Sequence, residues 1–375
     1  MSYYANMKTI NSIARQVYAA NHLGELDSFP EEITLTPTMH CNFNCVTCTQ
    51  DHKDPREYPQ SFIAQLEEIL PFVKFVNING GEPLLYKHLD ELITTITAKE
   101  TRFWLVTNGS LLNESWREKL VGSALQVIKF SIDGGTPQAY AAVRPHGNFF
   151  KVLGNIAQFM KRKITEKRHD VWTQFNFVAL RDNIESLPKL AAIAAELGIN
   201  QINVTYCVCF TPYLAERSLY FHQELSDEKI MLTQEIGDKY GVTIAAPKLF
   251  SGKSSGKDSW LDAKTCDFPF KYMAVELSGK IGICCGSSIR RGNIFENGFA
   301  ATWNDPFWVK IRETVNTENE TEMCRNCILC KQKPDNILSH IPDKELARRM
   351  LALHGRSEEL AALAAEQEHQ VAAAV

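Results

Sequence analysis

No apolar run in this 375-residue chain approaches the roughly 20 residues that a helix needs to cross a bilayer. The N-terminus also lacks a basic start followed by an apolar core and a small-residue cleavage site, so no signal peptide is expected. Basic residues are not in excess. Forty Lys and Arg against 44 Asp and Glu give a net charge of −4, with the 10 histidines counted neutral. A chain without a global basic field is not expected to take nucleic acid as a partner. Together these absences predict a cytoplasmic protein that does not enter the membrane.

Cysteine, by contrast, is plentiful. There are 11, an odd number, and they are clustered rather than scattered. Disulfide scaffolds are typically short secreted chains, so metal ligation is the better reading here. The length allows about two domains, and 45% hydrophobic content supplies a sizeable core. Cys41, Cys45 and Cys48 lie in the run Met-His-Cys-Asn-Phe-Asn-Cys-Val-Thr-Cys, a C-x3-C-x2-C spacing. Three thiolates this close suit three irons of a [4Fe–4S] cluster, whereas electron-transfer clusters use four cysteines. One iron would then stay open to bind something else. A zinc site is the alternative, although zinc favours paired C-x2-C units with four ligands.

Hydrophobic patterning predicts strands at 31–38, 72–79, 102–107, 126–132, 171–180 and 200–208, alternating with helices near 60–70, 86–97, 113–122, 148–163, 184–197 and 224–240. Such alternation implies a parallel sheet with helices outside. Six units are too few for a full eight-stranded barrel. In the fourth strand Ile128, Phe130 and Ile132 share one face, while Lys129, Ser131 and Asp133 share the other. Asn203, Thr205, Cys207 and Cys209 form a similar face near 200–208, opposed by Ile202, Val204, Tyr206 and Val208. Apolar faces pack on helices, so the polar faces look inward and predict a lumen that holds a ligand. The second strand ends in Gly80-Gly81-Glu82-Pro83, one strand and one helix after the cysteine loop. Its glycines allow close backbone approach to a ligand.

In this register the cysteine and Gly-Gly-Glu-Pro motifs resemble the radical S-adenosylmethionine (radical SAM) superfamily. The resemblance implies a partial (β/α)6 barrel in an α/β fold, and a cofactor that occupies the open iron. It also implies reductive cleavage of that cofactor to a 5′-deoxyadenosyl radical, which abstracts a hydrogen atom from substrate. By the same resemblance Gly80, Gly81 and Glu82 line the methionine amino group. Asn108, Ser131 and Asp133 serve the ribose and carboxylate region, Arg144 pairs with the cofactor carboxylate, and Asn176 is a further ribose candidate. One departure stands out: Thr47 occupies the position before Cys48 that is usually aromatic and contacts adenine.

Beyond a linker expected at 251–260, Cys266, Cys284 and the run Cys324-x2-Cys327-x2-Cys330 flank a hairpin signal at Ser278-Gly279. This region resembles the SPASM/twitch extensions that hold auxiliary [4Fe–4S] clusters. The six cysteines here fall short of the eight needed by two fully thiolate-ligated clusters, so one auxiliary cluster is expected. The resemblance gives ligand roles to Cys266, Cys284, Cys324 and Cys327, with Cys330 as the alternate for one of the last pair. Cys285 is expected to point to the other side of the hairpin. A zinc ribbon is the alternative. The predicted domains are an N-terminal helical segment (1–30), the barrel (31–250), the auxiliary region (251–335) and a helical tail (336–375).

Cys207 and Cys209 fall on the predicted inward face beside the expected substrate position. A thiol there has a weak S–H bond and suits return of a hydrogen atom to a substrate radical, which would be an epimerisation. Dehydrogenation or cross-linking, with the auxiliary cluster taking the second electron, competes with it, and the thiols as small buried hydrophobes are the bland alternative. The expected substrate is a peptide, or else a sugar or aminoglycoside-type metabolite. An electron donor such as flavodoxin or ferredoxin is the expected partner. A non-catalytic metal-binding module is the reading from another class.

Overall fold

A computed structural model of the chain describes residues 2–252, 265–325, 327 and 336–372, with 365–372 as backbone only. Cys330 and most of the expected linker lie outside the described residues. The six predicted strands are present as β1 (Glu32–Leu35), β2 (Phe75–Ile78), β3 (Arg102–Thr107), β4 (Leu125–Ser131), β5 (Trp172–Ala179) and β6 (Gln201–Tyr206). Each pairs in parallel with the next. Leu35, Ile78, Leu105 and Ile128 stand side by side across four strands, all fully buried. Phe130, Phe175 and Ile202 continue the layer. Helices supply its other half, among them Ser61–Ile69 through Phe62, Ile63 and Leu66, and Leu89–Ala98 through Leu92, Ile93 and Ile96. Each such side chain contributes about 1.5–3 kcal/mol by leaving water. The opposite faces are polar and only partly buried, as at Thr34, Asn77, Lys129, Ser131, Asn176 and Asn203.

Among the described residues the sheet has nine strands, in the order β7-β6-β5-β4-β3-β2-β1-β8-β9. Three were not expected in it. β7 (Thr243–Ala245) is parallel to β6 and too short to show alternation. β8 (Tyr272–Val275) and β9 (Ile281–Gly282) form the predicted hairpin, and β8 also runs parallel to β1. The auxiliary region therefore extends the barrel sheet. β7 and β9 are its two edges, so the barrel stays open.

Arg312 fastens this region to the rest. It is fully buried, and its guanidinium donates to the carbonyls of Pro269 (2.8 Å), Gly24 (3.0 Å) and Trp303 (2.8 Å). It also lies 4.0 Å above the Trp303 ring. Burial pulls its pKa down from the usual arginine value, yet the carbonyl dipoles give the charge a partner. The helical tail docks on the barrel as helices Lys344–Leu353 and Ser357–Ala372, broken at Gly355, where φ is +65°. Leu346, Met350, Leu351 and Leu363 are buried, whereas Leu353 is 69% exposed. Among the described residues no helix is long and apolar enough to cross a membrane.

Arg312→Met leaves three buried carbonyls without a donor, and such losses cost about 1–3 kcal/mol each. Chemical denaturation of this variant should show a loss of at least about 3 kcal/mol. A wild-type midpoint would contradict the role assigned to Arg312.

Candidate cluster sites

The loop carrying Cys41, Cys45 and Cys48 leaves the end of β1 and is gripped from several sides. Cys41 N–H donates to His52 O (3.0 Å), and Val46 N–H to Val143 O (2.9 Å) at the end of helix Pro137–Val143. The strap Gly80-Gly81-Glu82 leaves β2 and lies along residues 38–40. Gly81 N–H donates to Thr38 O and Glu82 N–H to His40 O, both at 2.9 Å. Any Cβ at position 81 would stand 2.2 Å from the His40 carbonyl oxygen, and one at position 80 would stand 2.6 Å from that of Thr38. Gly80 also has φ +124°. Both positions therefore require glycine.

Glu82 is buried, and its carboxylate faces the protein. It accepts from Leu84 N–H (3.2 Å), Thr107 Oγ1 (2.7 Å) and Asn108 N–H (2.8 Å). Burial raises its pKa, while these three donors work the other way. The side chain thereby ties the end of β2 to the end of β3, and Asn108 Nδ2 in turn reaches Asn42 Oδ1 in the cysteine loop (3.0 Å). On the other side Arg144 pairs with Asp133 at 2.6–2.7 Å and extends an N–H to within 3.4 Å of Cys45 Sγ. Phe43 N–H lies 3.4 Å from Cys41 Sγ. Burial pushes both thiols up, Cys45 to about 11, with Arg144 opposing. These donors favour sulfur as thiolate, the form a metal requires.

The three thiols, Thr47, Gly80, Gly81, Glu82, Asn108, Ser131 and Arg144 border one cavity with about 730 Å³ of empty space open to solvent. Among the described residues no three His, Cys, Asp or Glu side chains converge as they would on a single metal ion. Cys41, Cys45 and Cys48 line the wall of the chamber. Asp133 and Asn176 do not border this cavity. The carboxylate of Asp133 is taken up by Arg144 and by Val178 N–H (2.7 Å), and Asn176 Oδ1 accepts from Gln174 Nε2 (2.6 Å). Asp133 is a positioning residue for Arg144. Asn42 and Ser110, linked at 2.9 Å, went unnoticed in the sequence. The pointer to Asn42 was its place inside the cysteine spacing.

A second cavity, of about 540 Å³, is bordered by Cys266, Cys284, Cys324 and Cys327. Asn316, at φ +63°, holds Cys266 by both its N–H (2.8 Å) and its C=O (2.9 Å). Gly286 N–H lies 3.2 Å from Cys284 Sγ, and a turn brings Cys327 N–H to Cys324 O (3.2 Å). Cys285 is exposed and does not border this cavity.

Cys207 and Cys209 lie elsewhere than expected. β6 ends at Tyr206, and both cysteines sit in an apolar cluster with Leu180, Leu214, Ile341 and Met350. Cys209 N–H donates to His340 O in the tail (2.7 Å). The inward parity persists past the strand, but the tail covers that face, so neither thiol borders the cluster cavity. Sequence period alone could not show a cover supplied from 130 residues further along.

Residues 35–194 match the profile of the radical SAM superfamily, and residues 266–328 match SPASM, an iron–sulfur cluster-binding domain. The two ranges together cover more than half of the chain, which belongs to the radical SAM superfamily. Membership implies a [4Fe–4S] cluster that binds S-adenosylmethionine, and the second region implies auxiliary iron–sulfur binding. Mycofactocin maturase MftC of Mycolicibacterium smegmatis is 30% identical over 172 residues, spanning 44% of this chain and 42% of that protein. A probable GTP 3′,8-cyclase of Methanocaldococcus jannaschii is 26% identical over 52% of this chain and 65% of its own length. The chain thus spans less than two thirds of these two relatives. An AdoMet-dependent heme synthase of Methanosarcina barkeri is 25% identical over 80% of this chain and 90% of its own. In fold the chain resembles Streptococcus suis SuiB bound to S-adenosylmethionine (TM-score 0.61, 21% identity, 86% of this chain and 75% of that one). It also resembles anSMEcpe with bound AdoMet (TM-score 0.57, 18% identity, 88% and 98%).

Glu82→Gln puts an amide donor where the buried site supplies only donors. A hydrogen bond to a charged group is worth about 1.5–3 kcal/mol, so stability should fall by that order. Iron content after anaerobic reconstitution should fall with it. Unchanged stability and iron would show that the carboxylate does not tie the strand ends together.

Proposed function

We propose that the protein is an enzyme that uses S-adenosylmethionine and two iron–sulfur clusters to oxidise a peptide. The observation that carries this reading is the cavity in which the three thiols of the cysteine loop meet the Gly80-Gly81 strap, Asn108, Ser131 and Arg144. When bound, the cofactor and its cluster would supply a 5′-deoxyadenosyl radical for hydrogen-atom abstraction from substrate, and an auxiliary cluster would offer an acceptor for the electron left on the substrate once a proton departs. Cys41, Cys45 and Cys48 would hold the first cluster. The backbone of the strap faces the methionine amino group, and Asn108 and Ser131 flank the nucleoside. Arg144, held by Asp133, supports Cys45 and offers its remaining N–H edge to the cofactor carboxylate. Cys266, Cys284, Cys324 and Cys327 would hold the auxiliary cluster.

A peptide substrate is supported by SuiB, solved with the precursor peptide SuiA, and by anSMEcpe, solved with Cp18Cys peptide. The lumen chemistry agrees. Asn203 and the Lys129 amine suit peptide carbonyls or a carboxylate, and Lys129 lies 4.8 Å from the Trp104 ring with its pKa lowered by burial. Oxidation is favoured over epimerisation because Cys207 and Cys209 are packed beneath the tail. A flavodoxin or ferredoxin is the fitting electron donor.

Anaerobically reconstituted protein given dithionite and S-adenosylmethionine should release 5′-deoxyadenosine and contain about eight irons per chain. Cys41→Ala should abolish release. Cys266→Ala should retain it with about four irons. Release that survives Cys41→Ala would overturn the assignment of the first cluster.

With a peptide substrate, Cys207→Ala and Cys209→Ala should leave product formation intact, and no solvent deuterium should enter the product. Deuterium uptake that depends on either thiol would reinstate epimerisation.

A further inference from the structure

Helix α1 (Tyr3–Ala20) is built inside out. Its only charged residues, Lys8 and Arg15, are on the buried side. Lys8 Nζ donates to Lys99 O (2.7 Å) and Glu100 O (2.9 Å), and burial brings its pKa down to about 8. Arg15 pairs with Glu31 (3.0 Å) and Asp267 (3.4 Å). Asn11 meets Phe29 through both its amide nitrogen and its oxygen, at 2.9 Å each. The outward side, in contrast, shows Tyr3 (68% exposed), Ile10 (61%), Ile13 (58%) and Val17 (52%) and bears no charge. A surface helix ordinarily does the reverse.

The exposed residues are spaced as a coiled-coil seam. Tyr3, Ile10 and Val17 fall seven apart, with Asn6, Ile13 and Ala20 interleaved at the second seam position. We propose that α1 pairs antiparallel with α1 of a second copy of this chain about a twofold axis. Such an axis between residues 11 and 12 sets Tyr3 against Ala20, Asn6 against Val17 and Ile10 against Ile13 of the second copy. Every layer is thereby repeated by symmetry, and the largest residue meets the smallest. An isologous contact needs this self-complementarity. With no charge on the seam, nothing repels across the axis. Two stripes of this length bury on the order of 1,000 Å² in total, enough for a specific pair.

A membrane surface fits less well. Helices that lie on membranes turn Lys and Arg toward the headgroups, whereas both cations here are tied down on the protein side. The placement also suits a dimer. The anchors of α1 precede β1, β2, β3 and β8, at the strand ends opposite the cysteine loop. Pairing through α1 would leave the cavity of the cysteine loop open.

The test is the mass of the reconstituted holoprotein in solution by light scattering under anaerobic conditions. Wild type should run at twice the chain mass of 42.4 kDa, and the double variant Ile10→Glu/Ile13→Glu at once that mass. The variant should keep its iron content and release of 5′-deoxyadenosine. Asn6→Cys/Val17→Cys should cross-link between copies on mild oxidation, while Ile10→Cys alone should not. A monomeric wild type would overturn the proposal, as would a dimer indifferent to the two glutamates. Cross-linking through Ile10→Cys alone would mean parallel pairing and overturn it too. So would a monomer that binds anionic vesicles, or one that binds the peptide substrate only when the seam is intact.

Discussion

At Gly81 a single methyl group would sit 2.2 Å from a carbonyl oxygen of the cysteine loop, and at Gly80 one would sit 2.6 Å from another. The chain end of β2 and the chain end of β1 therefore touch backbone to backbone. This contact fixes where Cys41 begins, and with it the positions from which Cys45 and Cys48 face the cavity. A looser approach would leave the three thiols on a wandering loop, and a cluster bound by only three ligands tolerates little wandering. The strap and the loop form one rigid edge because no side chain stands between them.

Around that edge, buried charge is used for position rather than display. Glu82 has three donors and ties β2 to β3, and Asp133 orients Arg144 against Cys45. Removing one partner of such a group strands the other in a dry site, which costs more than the bond itself is worth. The auxiliary region is joined by the same logic. β8 lies beside β1, and Arg312 draws in carbonyls from three separate segments. The two cysteine cavities thus belong to one continuous sheet.

Much of this was legible in the sequence. The parity of β4 separated Ile128 and Phe130 from Lys129 and Ser131, because a half-buried strand must alternate. What escaped was contact between distant segments. The pairing of β8 with β1 spans 240 residues, and no local period announces it. Asp133 and Asn176 were polar and inward, which suggested ligand contact, but their hydrogen bonds are made to the protein itself. Cys207 and Cys209 had the right parity for a lumen position, and a segment from the far end of the chain buried them. Alternation tells which way a side chain points, and it is silent about what comes to cover it.

The most direct measurement is electron paramagnetic resonance of the anaerobically reconstituted, reduced protein, recorded before and after adding S-adenosylmethionine. Two reduced-cluster signals should be present, and the cofactor should perturb one while leaving the other as it was. Signals from both clusters that ignore the cofactor, or none at all because zinc fills the sites, would contradict the account.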